Sequence, residues 1–183
     1  GSFVARDGGK ITVEFVIKDD QGNPNNVRTI YEEFMGPDGP DLLLAPYSSD
    51  LTKAAAEVLQ GRGVPMLSWG AAAQSLYTGE YPFLFAMDIL TAHYFTEGLH
   101  VLRNRGASTI AAVTFVKAGG LFGQELCAGV VDQARALGYR VISPPASQTA
   151  FASVYNADDS VGQTVASLRA DSPDIIVVCS HVS

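Results

Sequence analysis

Residues 41–76, DLLLAPYSSDLTKAAAEVLQGRGVPMLSWGAAAQSL, decide the fold. Leu42 to Ala45 is a short continuous apolar run, the pattern of a strand buried on both faces of a parallel sheet. Pro46 and Tyr47 end it, and Ser48, Ser49 and Asp50 offer N-cap oxygens. Leu51, Ala54, Ala55, Val58 and Leu59 then recur at i, i+3, i+4, i+7 and i+8, one face of a helix. Gly61 and Gly63 stop that helix, Val64 to Ser68 starts a second strand, and a loop of very small residues follows: Gly70, Ala71, Ala72 and Ala73. In open α/β sheets ligands sit beyond the carboxyl ends of the strands, and free N–H groups at a helix start favour an anion. The two loops are therefore expected to receive a small ligand with a carboxylate. The plainer reading leaves the serines as caps and the alanines as a turn.

Working outward, Ile11 to Ile17 alternates and predicts a strand, with Asp19 and Asp20 forming a turn after it rather than binding metal. Asn23-Pro24 opens a helix carrying Val27, Ile30, Tyr31, Phe34 and Met35 at helical spacing, and GPDGP at 36–40 turns the chain back. Beyond the central stretch, Phe83 to Ala86 reads as a strand and 88–105 as a helix with Ala92, Phe95, Leu99 and Leu102 on one stripe. Thr109 to Val116 reads as a buried strand, and a helix is expected from about Phe122 to Leu137. Tyr139 to Ser143 is a further strand and 144–159 a loop with a few aromatic residues. A helix at 160–170 with Val161, Val165 and Leu168 apolar leads to the buried strand DIIVVCS.

The chain has 183 residues, 47% hydrophobic and 17% charged, which predicts a globular molecule with a sizeable core. A net charge of −7 opposes nucleic acid and anionic membrane surfaces, so the expected partner is a small molecule or a protein. No run reaches the ~18 apolar residues of a membrane span. Gly1-Ser2 reads as a cloning remnant, so the lack of a leader is no pointer to the cytoplasm. Cys127, in a helical pattern, and Cys179, at a strand end, read as two buried thiols rather than a disulfide.

The order DDQGNP at 19–24, helix, strand ending in PYSS, then GVPMLSWGAAAQSL resembles the type I periplasmic-binding-protein family, the branched-chain amino-acid receptor type. The resemblance runs from about Ala5 to the end. It implies an α/β fold of two lobes, each a parallel sheet flanked by helices, here incomplete at both ends: a first lobe over 3–88 without its first strand and helix, and a second over 89–183. It also implies that Ser48, Ser49 and Ala71, Ala72 and Ala73 hold a ligand carboxylate or amide, with Tyr47 and Gly70 beside them and Trp69 as an apolar wall. In the second lobe it places Phe122, an aromatic before a glycine, and His181, just past the last strand, against the ligand. A tyrosine is common at the place of Phe122, so a hydroxyl is missing there. The residue that receives an amino-acid ammonium group commonly lies beyond Ser183, which leaves the ligand open between an amino acid, an amide and a small carboxylate.

Competing chemistries fit poorly. Gly119, Gly120 and Gly123 sit between strand and helix like a nucleotide loop, but no Gly-Lys-Ser/Thr follows, and Ser143-Pro144 stands where a ribose-binding acid belongs. His93 and His100 share a face without a third ligand at zinc spacing. There is no G-x-S-x-G elbow, and Ser49 to Lys53 is one residue too long for S-x-x-K. No enzyme, cofactor or metal site is expected. The expectation is an extracellular or periplasmic binding module, serving as a receptor sensor or a solute receptor and reaching a membrane only through a part outside this chain. The alternative is a ligand-free interaction or dimerisation domain of a larger receptor, and a third reading is a flavodoxin-like enzyme domain. With the family's first strand missing, unpaired sheet edges and uncovered apolar side chains are expected, and with them a homo-oligomer.

Overall fold

The structure is a computed structural model that describes residues 2–4, 6, 8–144, 154–157 and 161–180. Two parallel sheets and a short hairpin make up its strands. The hairpin pairs β1 (Ser2–Val4) antiparallel to β2 (Lys10–Thr12). Here the sequence reading is corrected: Ile11 to Ile17 is not a strand of the parallel sheet. Only Lys10–Thr12 is paired, and Phe15 and Ile17 stand 72% and 88% exposed. Alternation records a preference for a pleat, and a pleat without a neighbour to bond does not persist.

The first sheet takes the order β3 (Leu43–Leu44), β4 (Met66–Ser68), β5 (Leu84–Ala86), all parallel, with Leu43 beside Met66 and Met66 beside Leu84. Helices α1 (Pro24–Phe34) and α2 (Ser49–Leu59) pack with it into one core built on Val27, Tyr31, Leu43, Ala54, Ala55, Met66 and Leu84. Asn23 caps α1 through its side chain, which accepts from the Asn25 amide at 2.9 Å, and Pro24 takes the first helical position where no N–H is needed. The Asp19 and Asp20 carboxylates accept from the Gln21 and Gly22 amides, as expected of a turn. The edge strand β3 is not buried on both faces as its apolar run predicts: Leu43 and Ala45 face the core, whereas Leu42 and Leu44, like Phe85 on β5, are half exposed. Both helices pack on the face of Leu43, Met66 and Leu84, and the opposite face, with Leu44 and Phe85, is only partly covered among the described residues.

In the second sheet β6 (Thr109–Thr114) is central. β9 (Ile175–Cys179) lies along Ile110 to Thr114, and the opposite edge is shared by β7 (Arg140–Val141) beside Thr109 and Ile110 and β8 (Val154–Asn156) beside Ala112 to Thr114. Helices α3 (Thr96–Asn104) and α4 (Val116–Ala136) build one core against Ile110, Ala112 and Val177. On the other face Leu168 of α5 (Val161–Asp171) joins Ala111, Val113 and Tyr155. The Asp174 carboxylate fixes the start of β9 to β6, accepting from the Ser108 amide at 2.8 Å and the Thr109 amide at 2.9 Å.

Four further expectations change. The helix foreseen over 88–105 is a 3-10 turn at Thr91–His93 and then α3, which leaves Leu102 on the exposed side. Within the expected loop 144–159, Val154–Asn156 is a strand with Tyr155 fully buried. Val161 and Val165 are exposed, and α5 buries Thr164 and Leu168 instead. Cys127 and Cys179 are not free thiols: they form a disulfide with Cα atoms 5.6 Å apart, tying α4 to β9. Two cysteines on elements separate in sequence carry no local sign of pairing, because only the packing of α4 on β9 brings them together. Among the described residues no helix is long and apolar enough to cross a membrane.

Candidate functional site

The carboxyl ends of β3 and β4 deliver the two loops to one place. After Pro46 the chain turns sharply at Ser48, whose φ of 93° and ψ of 150° belong to a region that side chains rarely enter. Three hydrogen bonds hold it there: its amide donates to the Gly70 carbonyl at 3.1 Å, its carbonyl accepts from Thr52 at 3.0 Å, and its hydroxyl oxygen caps α2 by accepting from Leu51 at 3.3 Å. Ser48 is thus engaged as a cap. Ser49 is buried, and its hydroxyl oxygen accepts from the Ala73 amide at 3.2 Å, joining the serine loop to the small-residue loop.

That bond leaves the Ser49 hydroxyl proton without an acceptor among the described residues. The amides of Ala71 and Ala72 and the first amides of α2, at Ser49 and Asp50, likewise show no partner there. Ala71, Ala72 and Ala73 are all buried, so these donors lie on a wall with no long side chain of its own. The Ala72 carbonyl accepts from the amide of Thr91, whose fully buried hydroxyl has no partner among the described residues.

Aromatic rings frame the polar groups. Trp69 donates its indole N–H to the Ala45 carbonyl at 3.0 Å, which fixes the ring, and lies 5.5 Å from Tyr47 between centroids. Gly70 allows this: a Cβ would come 2.6 Å from the Tyr47 ring. Phe122, on α4, meets Tyr94 edge to face at 5.8 Å while packing on the second core. The Tyr94 hydroxyl titrates above its ordinary value, through burial first and then the charges of Asp88 and Tyr47. Tyr94 therefore stands beside Phe122. It also lines an open hollow of about 580 Å³ with Met87, Asp88, Ile89, His93 and Glu97, within the size range of small-molecule sites. A smaller hollow between Leu59 and Phe83 lies at the amino ends of β4 and β5, remote from these groups.

Tyr47, Ser48, Ser49, Trp69, Gly70, Ala71, Ala72 and Ala73 thus lie on two touching loops, and Phe122 lies across from them on α4. His181 is outside the described residues. Sequence reasoning missed Tyr94, which it placed inside a helix; its position just after β5, at the carboxyl end of a parallel strand, was the available signal. Among the described residues no three acidic, His or Cys side chains group as a metal site.

A family model described as periplasmic binding protein matches residues 4–181. A comparison with curated proteins gives no match. Among solved structures, an ABC transporter substrate-binding protein from Desulfitobacterium hafniense in complex with leucine is 17% identical with a TM-score of 0.70, over 90% of this chain and 46% of its own. A solute-binding protein from Rhodopseudomonas palustris in complex with 4-hydroxybenzoate is 20% identical with a TM-score of 0.72, over 91% of this chain and 43% of its own. A leucine-binding protein from Thermotoga maritima is 14% identical with a TM-score of 0.69, over 87% and 43%. At these identities the likeness is one of fold, and the chain spans less than half the length of the structures it matches.

Proposed function

The chain belongs to the periplasmic binding protein family, and on that premise we propose that it binds a small molecule carrying a carboxylate or amide on an apolar body. Its two halves, 3–88 and 89–183, act as partial lobes of an extracytoplasmic receptor. The observation that carries this reading is the Ser49 to Ala73 hydrogen bond, because it joins two loops whose remaining donors have no partner among the described residues. An unpaired buried donor costs about 1–3 kcal/mol, so the open amides of the buried residues Ser49, Ala71 and Ala72 favour completion by an acceptor. The strained Ser48 supports the same place, since backbone strain persists where function requires it. Tyr47, Trp69, Tyr94 and Phe122 suit a flat or branched apolar body. The leucine and 4-hydroxybenzoate held by the similar structures share this plan of a carboxylate on an apolar group.

A disulfide suits an oxidising compartment outside the cytoplasm. The family consists of binding proteins, and the loops hold no base beside a nucleophile, so the ligand is expected to leave unchanged. Native mass spectrometry against a panel of small carboxylates and amides, followed by NMR of the released ligand, tests both points. A retained, unaltered ligand agrees with the proposal, while no retention across the panel, or conversion of the ligand, opposes it.

One observation favours a second role beside the first. Leu42, Leu44 and Phe85 form a half-exposed apolar face on the first sheet, and such a face is suited to a second copy of the chain. Light scattering across protein concentration tests it, with a stable monomer throughout as the contrary result.

A further inference from the structure

The first turn of α2 and the start of the regular part of α4 meet. Asp50 places its carboxylate oxygens 3.2 and 3.4 Å from the Leu121 amide, which donates to both. Gly120 makes room for this: its φ of 49° and ψ of −154° break the helix, and a Cβ there would overlap the Asp50 carboxylate. One turn later Glu125 reaches the other way and accepts from the Ser75 amide at 3.2 Å. Consecutive side chains then part, Leu121 to the first core and Phe122 to the second. The α4 start is therefore bound to the first sheet's unit by a carboxylate of the chain itself.

Free N–H groups at a helix start attract anions, and two such starts meet here. At α2 the Ser49 and Asp50 amides are open among the described residues; at α4 Leu121 is taken. We infer that Asp50 is a specificity-determining residue: it closes the α4 start to outside anions and leaves the donors of the serine and small-residue loops as the place for a ligand's carboxylate. This rests on the binding role proposed above. A second anion beside Asp50 would meet like charge as well as an occupied donor, so exclusion is electrostatic as well as steric.

The test follows backbone amides by NMR in the whole chain during titration with sodium sulfate at constant ionic strength. In the unaltered chain Leu121 moves no more than amides of α5. In Asp50→Ala and Asp50→Ser, chosen together so that one folding failure does not decide the matter, Leu121 follows a saturating curve with at least tenfold tighter apparent binding. An equal Leu121 response in all three chains, or none in either folded variant, overturns the inference. Ala72→Trp separates it from the role it rests on. With benzoate as probe this variant loses the shifts at residues 71–73 seen in the unaltered chain, while Leu121 stays silent to sulfate. Benzoate shifts retained in Ala72→Trp would sink the loop site alone, and a Leu121 response to sulfate there would sink the role of Asp50.

Discussion

The two parallel sheets solve the same packing problem differently. The second has a six-residue central strand covered on both faces, by α3 and α4 on one side and α5 on the other, and a disulfide stapling its edge strand to α4. The first has strands of two or three residues, a core on one face only, and carboxyl ends that run into a strained serine and three buried alanines. Length and two-sided burial place the chain's stability in the second sheet. Short strands and small side chains place open backbone donors in the first. The contrast teaches that a site made of main-chain groups needs side chains small enough to stay out of the way.

The largest expected effect falls on the second sheet. Removing the disulfide with Cys127→Ala and Cys179→Ala, which are 52 positions apart, should cost about 4 kcal/mol in denaturant unfolding on the chain-entropy estimate. Hydrogen exchange should quicken in β6 and β9 before it does in α1 and α2; the reverse order would break the comparison. Next, Leu99→Ala, fully buried under α4, should cost about 2–5 kcal/mol, while Leu44→Ala on the half-exposed face should cost under about 0.5 kcal/mol. If Leu44→Ala costs as much, that face is covered in solution, and the proposed second copy gains support.

Smaller and of opposite sign is Ser48→Gly. Relief of a conformation worth about 1–3 kcal/mol outweighs a loss of a few tenths at the cap, so the melting point should rise as ligand affinity falls. The smallest effect is acid-dependent. Hydrogen bonds from the Ser108 amide first, then from Thr109, hold the Asp174 carboxyl at about 2 against an ordinary 3.8. A lowered carboxyl contributes stability that is complete above pH 3.8 and is lost as pH falls toward 2. Asp174→Asn should flatten the melting-point profile in that window, and an unchanged profile would remove Asp174 from the second sheet's supports.

Much of this contrast was legible in the sequence, for identifiable reasons. Helices α1 and α2 and strands β3, β4, β5, β6 and β9 announce themselves through period, caps and glycine stops, all local properties. What failed was pairing. The alternation at Ile11 to Ile17 cannot say whether a neighbouring strand exists, and the apolar run at Leu42 to Ala45 cannot say whether both its faces are covered. The Cys127–Cys179 bond and the Asp50 contact with Leu121 join residues 52 and 71 positions apart, beyond any local pattern. In the proposed site, the meeting of the Ser49 loop with the alanine loop was readable because strand ends and helix starts have fixed chemistry. Tyr94 was not, because a continuous helix was expected where a 3-10 turn intervenes.

The central claim is that the first sheet's two loops receive a ligand's acidic end. Its most direct test is thermal unfolding of the unaltered chain and of a Ser49→Ala, Ala72→Trp double variant, each with benzoate and with leucine in turn. For whichever compound binds, a concentration 100 times its dissociation constant should stabilise the unaltered chain by about 2.7 kcal/mol and leave the double variant where it was. An equal rise in both chains would contradict the claim and move the site elsewhere.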